Sequence, residues 1–278
     1  MFDWDWTDRE LMVIFPYFGN RKHLVRVFLS YLKTDAPDSA WGVLAVDDGW
    51  GEDWSDLEDE FKFFRHVQIR DTGSKMRGGG FARNVALKRV KCKNILFKDP
   101  ECVYTGDFIS EAIKAEQKQI IRPAHIYVTN EKGCNKVVAG MPIDSLKYVD
   151  VDIVGNSKGV SIRKNFKITG HIPHNEDLGR KSLKVGAHYG YATPRADLIA
   201  VGGYDERMLN YGPPEEHTVL RLQRTCSQIK WIDSCSVYHL WHPREGLFVT
   251  NDDWRLFSKI YTEDYVNQDT DWGEQHDL

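Results

Sequence analysis

The apolar run Ile95-Leu96-Phe97 ends in Lys98-Asp99-Pro100-Glu101, and an earlier one, Trp41 to Val46, ends in Asp47-Asp48. Carboxylate oxygens are hard ligands for Mg²⁺ or Mn²⁺, ions usually held by few protein groups together with substrate phosphates. Two strands that each finish in carboxylates are what a metal–nucleotide site at the edge of a sheet needs. The competing reading is structural, because Asp and Pro also favour plain turns. Another acidic pair, Glu215-Glu216, falls at an expected helix start. There it complements the positive end of the helix dipole. His239 and His242 follow, three residues apart, in His239-Leu240-Trp241-His242-Pro243-Arg244-Glu245.

Those groups need elements to position them. Leu11 to Phe15 is a short β-rich run that reads as a buried strand ended by Pro16. Leu24, Val25, Val27, Phe28, Tyr31 and Leu32 recur with helical spacing after a capping Asn20. Trp41 to Val46 is the second strand, Asp53 to Phe64 an acidic amphipathic helix and Arg65 to Ile69 a third strand. Gly78-Gly79-Gly80 precedes a helix from Phe81 to Val90, and Ile95 to Phe97 is the fourth strand. Strands alternating with helices predict an α/β fold whose mixed, mostly parallel sheet is flanked by helices. Ligands on such sheets gather at the carboxyl ends of the strands, which is where Pro16, Asp48 and Asp99 fall. Farther on, the pattern predicts a helix over Ile109 to Gln119, a strand over Ala124 to Val128 and long loops from Asn156 to Lys184. Buried elements over Gly190 to Val201 and Trp231 to Leu240 flank a helix from Glu216 to Cys226, and the tail from Thr262 is acidic and loosely packed.

Composition narrows the class. The 278 residues are 41% hydrophobic and 28% charged, enough for a full core and typical of a soluble globular protein. A net charge of -4 gives no general pull toward nucleic acid or anionic membrane. The basic stretches Arg163 to Lys167 and Arg180 to Lys184 read as solvated surface. Five scattered cysteines without C-x-x-C spacing point to a reducing, cytoplasmic compartment and away from structural zinc. The acidic, aromatic start Met1 to Trp6 lacks the features of an export signal. No run approaches the about 20 apolar residues that span a bilayer, so any membrane contact is expected to be peripheral. The loop after the first strand lacks G-x-G-x-x-G, and neither a G-x-x-x-x-G-K-[ST] phosphate loop nor a G-x-S-x-G elbow occurs. Dehydrogenase, P-loop NTPase and α/β-hydrolase are thereby disfavoured.

In order along the chain stand Val13-Ile14-Phe15-Pro16, Ala45-Val46-Asp47-Asp48-Gly49, Ala82-Arg83-Asn84 and Ile95 to Glu101. This series resembles family 2 glycosyltransferases of the GT-A fold, with the Asp99-Pro100-Glu101 triplet at the D-x-D metal motif. Gly202-Gly203-Tyr204-Asp205-Glu206, Tyr211-Gly212-Pro213-Pro214-Glu215-Glu216 and Arg221-Leu222 look like the galactosyltransferase-type segment G-F-D-E…G-x-E-D-x-D-L-x-x-R-L. Two departures stand out. Glu101 lengthens the second metal ligand, and Glu215 takes the place of the catalytic Asp, with Pro214 before it and His217 at the later Asp.

The resemblance implies a GT-A-like domain over 1–278: a nucleotide-sugar-binding half to about 105, an acceptor half to about 245, and a C-terminal extension. It implies an inverting, metal-dependent transfer of a sugar from a nucleotide-sugar, most often a UDP-sugar, to a hydroxyl acceptor. Glycan, lipid-linked sugar, small molecule, protein or modified nucleic acid would all present such a hydroxyl. Asp99, Glu101 and His242 would hold Mn²⁺ or Mg²⁺, with His239 the alternative histidine, and Glu215 or Glu216 would be the base. Pro16, Tyr17, Phe18, Asp47, Asp48, Arg83, Asn84 and Lys98 would line the donor, and Trp241, His188 and Tyr211 the acceptor. A nucleotidyltransferase acting on sugar phosphates and a catalytically silent sugar- or nucleotide-binding protein of the same fold are the alternatives.

Overall fold

Apolar runs and amphipathic helices assemble into one continuous sheet. The structure is a computed structural model that describes residues 2–73, 78–147, 150–156, 189–208, 213–225, 228–243, 251–260, 263, 266–267 and 272–273. After a 3-10 turn at Trp4–Thr7 come β1 (Leu11–Tyr17), α1 (Lys22–Tyr31), β2 (Trp41–Asp47), α2 (Ser55–Glu60), β3 (Phe64–Gln68), α3 (Gly79–Arg89) and β4 (Asn94–Phe97). Next come β5 (Cys102–Thr105), α4 (Phe108–Ile113), β6 (Gln119–Thr129), α5 (Glu131–Val138) and β7 (Val151–Asn156). The second half adds β8 (Tyr191–Pro194), α6 (Arg195–Ala200), α7 (Pro213–Thr225), β9 (Gln228–His239) and α8 (Asn251–Ile260). No helix among the described residues is long and apolar enough to cross a membrane.

The strands lie in the order β3-β2-β1-β4-β8-β6-β9-β5, with β7 beside β6. β1 pairs in parallel with β2 and β4, β2 with β3, and β6 with β9. β8 runs antiparallel to β4 and β6, β5 to β9, and β7 to β6. Every residue of β2 and β4 is buried, so these runs read as continuously apolar rather than alternating. Ile14, Val46, Ile95 and Phe97 pack toward α3, while Val13, Phe15, Val43 and Leu96 pack toward α1. Each such side chain, fully buried, contributes about 1.5–3 kcal/mol.

Several boundaries differ from the sequence reading. β1 runs through Pro16 to Tyr17. Ile14 accepts from Lys98 N–H and Tyr17 from Asp48 N–H, so the Pro16 nitrogen faces the β4 side, where that strand has already ended. The helix expected over Asp53 to Phe64 shrinks to α2, because Phe64 and Val67 are drawn into the sheet core. The helix expected over Ile109 to Gln119 stops at Ile113, and Gln119 already opens β6. The loops expected from Asn156 to Lys184 lie, beyond Asn156 itself, outside the described residues, as does Cys226. The other four cysteines are free and buried.

One topological detail shapes the site. Four residues separate β4 from β5, yet β5 lies four places away in the sheet. A flat sheet at about 4.8 Å per strand would put them about 19 Å apart. The intervening turn is closed by Cys102 N–H donating to the Asp99 carbonyl at 3.1 Å, and such a turn spans less than about 7 Å. The sheet therefore curls, bringing the ends of β9 and β5 back to the carboxyl end of β4.

Candidate active site

The carboxyl ends of β1, β2 and β4 share one edge, fixed by the register Tyr17 opposite Asp47 and Ile14 opposite Phe97. At β2, Asp47 is fully buried and accepts from Trp50 N–H at 2.6 Å and Gly51 N–H at 2.8 Å, so it shapes the turn. Asp48 lies 3.4 Å from the Arg70 guanidinium. At β1, Tyr17 is buried, its hydroxyl bonded to Glu52 and its ring set edge-on to Trp54. Phe18 meets Trp50 edge to face, with centroids 5.5 Å apart, and Trp50 stays exposed, as few large apolar side chains do among the described residues.

Arg83 rises from α3, whose first turn is glycine-rich for a steric reason. A Cβ on Gly79 would stand 2.9 Å from the Arg83 guanidinium and 3.4 Å from Pro16. Bare backbone there lets the helix start pack against the end of β1. The buried Arg83 guanidinium donates to Asp99 Oδ1 at 2.8 Å and to Glu215 Oε1 at 2.6 Å, and lies over the Tyr204 ring at 5.2 Å. Burial pulls its pKa down, but the charges of Glu215 and Asp99 outweigh that pull and raise it above the ordinary range. Glu215 opens α7, and its second oxygen, Oε2, is buried without a hydrogen-bond partner. Burial pushes the Glu215 carboxyl above the ordinary range against the pull of Arg83, and Asp99 adds to the rise. Its neighbour Glu216 is half-buried, and its charge acts on Arg122 instead.

The second cluster forms where the sheet curls. Glu101, fully buried just before β5, faces the end of β9, because Cys102 pairs with His239 and Leu240 N–H donates to the Glu101 carbonyl. The Nε2 atoms of His239 and His242 lie 3.2 and 3.0 Å from Glu101 Oε1. One ligand atom from each of the three residues falls within 4.8 Å of the other two. Burial pushes the Glu101 carboxyl up, but Arg21 and the two imidazoles outweigh it and hold it well below its usual range. Burial likewise lowers His242, yet its bond to Glu101 wins and raises it. His242 Nδ1 lies 3.0 Å from the Pro243 carbonyl. With Nδ1–H donating there, Nε2 is left as the ligand atom, the arrangement seen around metal-bound imidazoles. The donor set fits a divalent cation.

The structure thus brings Pro16, Tyr17, Phe18, Asp48, Arg83, Asp99, Glu101, Glu215 and His242 to one edge, but it divides the acids. Glu101 groups with the histidines, whereas Asp99 is turned onto Arg83. Lys98 is not brought to this edge. Its ammonium is fully buried beneath the acidic turn, 3.5 Å from the Phe28 centroid and 3.2 Å from the Pro100 carbonyl, because residue 98 faces α1. Asn84 is likewise occupied: it donates to the Tyr204 carbonyl and to Glu206, and accepts from Tyr204 N–H. Trp241 is 36% exposed beside His242. His188 and Tyr211 lie outside the described residues. Arg21, Arg70 and Trp50 also stand at this edge, and none of them belongs to a motif, although a Trp beside Asp47-Asp48-Gly49 is a visible hint.

This sheet, with its acidic edge, is the GT-A fold of glycosyltransferases. The chain is similar to TarS of Staphylococcus aureus, whose residues 1–349 were solved with UDP-GlcNAc. The TM-score is 0.60 at 15% identity, covering 90% of this chain and 65% of that one. GalNAc-T7, solved with UDP, GalNAc and Mn²⁺, gives a TM-score of 0.57 at 14% identity, covering 90% of this chain and 48% of that one. In sequence, 125 residues, 44% of this chain, are 24% identical to poly(ribitol-phosphate) beta-N-acetylglucosaminyltransferase TarS of Staphylococcus aureus (strain Mu50). The matched stretch covers 21% of that curated relative, about a fifth of its length. No protein-family model matches the chain.

Proposed function

We propose that the protein transfers a sugar from a nucleotide-sugar donor, in the first instance a UDP-sugar, to a hydroxyl acceptor with inversion. The observation that carries this reading is the cluster of Glu101, His239 and His242 at the carboxyl edge of a GT-A sheet. The UDP-GlcNAc bound to TarS and the UDP and Mn²⁺ bound to GalNAc-T7 support both the donor and the cation. Residues up to about 105 hold the donor, and those that follow, to about 245, shape the acceptor side.

Phe18 and Trp50 flank the nucleotide base, and Asp48 accepts its N–H. Glu101, His239 and His242 hold the cation, and a site with two imidazoles suits Mn²⁺ better than Mg²⁺. When bound, the cation stabilises the negative charge that develops on the departing diphosphate. Glu215 takes the acceptor hydroxyl proton on Oε2 while Arg83 anchors Oε1. The acceptor oxygen attacks the anomeric carbon opposite the diphosphate, whose oxygen leaves with the bonding electron pair. A base raised above the ordinary glutamate range is better matched to that proton than a free one. Trp241 offers an apolar face to the acceptor.

The test is UDP release from a panel of UDP-sugars with and without Mn²⁺. Glu101→Ala and His242→Ala should lose cation-dependent UDP binding. Glu215→Gln should bind UDP yet turn over about 10²–10⁴-fold more slowly. Full turnover in Glu101→Ala would sink the cation assignment, and full turnover in Glu215→Gln would pass the base role to Glu216.

A further inference from the structure

Arg21 sits between the base wall and the histidine cluster and belongs to no motif. It is the residue from which α1 starts. Its backbone N–H donates to the Tyr17 hydroxyl at 3.1 Å, and Nη2 donates to the Phe18 carbonyl at 3.1 Å. Nη1 points the other way, 3.3 Å from Oε1 and 3.1 Å from Oε2 of Glu101. Oε1 is also the atom that His239 and His242 approach at 3.2 and 3.0 Å. Three nitrogens therefore converge on one buried carboxylate oxygen.

A divalent cation held by Oε1 and the two Nε2 atoms would stand beside this guanidinium. Like charges about 4 Å apart repel strongly wherever water is scarce, so the two cannot share Oε1. The Phe18 and Tyr17 contacts keep Arg21 tethered, so it has little distance to travel. A diphosphate must run from the base wall to the cation, past this tether. The guanidinium fork matches phosphate oxygens as well as it matches a carboxylate. We propose that Arg21 is a placeholder cation, neutralising Glu101 while the metal is away and transferring to the donor diphosphate once the metal binds. This rests on the cation reading above. Its consequence is coupling: the metal frees Arg21 for the diphosphate, and the diphosphate offsets the charge that the metal brings.

Titration calorimetry with Mn²⁺ alone, and with UDP at saturating Mn²⁺, tests it on the whole chain; GDP replaces UDP if the wild type binds GDP instead. Arg21→Met should bind Mn²⁺ alone about tenfold or more tightly, because its competitor is gone. The same variant should bind UDP about 10- to 100-fold more weakly, because a charge-assisted phosphate pair is lost. Arg21→Lys should fall between on both measurements. If Arg21→Met does not fold, Arg21→Gln carries the same comparison. A merely structural role would weaken both, so the opposite signs are the signature. Mn²⁺ affinity unchanged or weakened, or UDP affinity unchanged, overturns the placeholder role while the cation reading stands. A wild-type protein that binds no Mn²⁺ overturns both.

Discussion

Asp99 and Glu215 are held by one guanidinium: Arg83 reaches the first at 2.8 Å and the second at 2.6 Å, and all three are buried. Two negative charges face a single fixed positive one, so neither carboxylate can move or change charge without the other responding. Asp99, at the first position of the acidic triplet, thereby acts on Glu215 rather than standing among the histidines.

Replacing Arg83 tests that linkage. Arg83→Lys keeps the charge but cannot reach both carboxylates as a fork. Glu215 then feels Asp99 with less compensation, and its pKa rises further. A base must be deprotonated to act, so the acid limb of kcat/KM should move to higher pH and kcat should fall about tenfold or more. Arg83→Met leaves both carboxylates unpaired and should lower stability by about 3–5 kcal/mol, read from chemical denaturation.

Glu215 itself links activity to stability. Its folded-state pKa lies above the ordinary 4.5 because burial, reinforced by Asp99, outweighs Arg83. The unfolded chain gives up this proton more readily, so at neutral pH the charge opposes folding, and that penalty is relieved as pH falls through the raised pKa. Activity should therefore fail on the acid side at a pH above 4.5. Glu215→Gln should raise Tm at neutral pH while losing turnover, and a lower Tm would contradict the assignment.

Lys98 is pushed down to about 8 from 10.5 by burial. Between those values the unfolded chain carries a proton that the folded chain does not, so stability should climb with pH across that window. Below it, the penalty is full. Lys98→Met should remove the slope and, at pH 7 in chelator, stabilise by up to about 3 kcal/mol. Denaturant midpoints from pH 7 to 10.5 check both statements.

The C-terminal segment is docked at the two residues described near its end. Trp272 packs in the α3-side core with Lys88 over its ring at 4.7 Å, and Gly273 N–H donates to Glu206 at 2.8 Å. Gly203, at φ +66, lies beneath: a Cβ there would stand 2.5 Å from Asn84 Oδ1 and 2.7 Å from Trp272. Gly203→Ala should cost at least about 1–2 kcal/mol from backbone conformation alone. Limited proteolysis should then cut the tail faster than in the wild type.

The N-terminal half was legible because its strands are buried on both faces and alternate with amphipathic helices, two strong periodic signals. The Asp48 and Glu101 positions follow from strand ends, and Arg83 from the Ala82-Arg83-Asn84 motif in the helix before β4. β5 was missed because four residues carry no periodicity, and α5 because its buried face amounts to Gly133, Cys134 and Val137 among polar neighbours. That both histidines meet Glu101 depends on the Cys102–His239 register, a tertiary fact that no local pattern encodes. Lys98 misled for a similar reason. It stands in the acidic turn, but its side chain follows the strand's alternation into the apolar face. The loosely packed tail expected from sequence missed the Trp272 contact, since a lone Trp in an acidic stretch has no visible partner.

The curl that brings β9 and β5 back to β4 also makes the site a reporter of folding order. Glu101 lies in the first half of the chain and His239 at the end of β9, so this cluster is complete only after β9 has docked. Closing so long a loop is entropically slow and comes late in assembly. Mn²⁺ uptake during refolding would therefore time the closure of the sheet. Once bound, the ion would fasten that seam and lengthen the life of the native state.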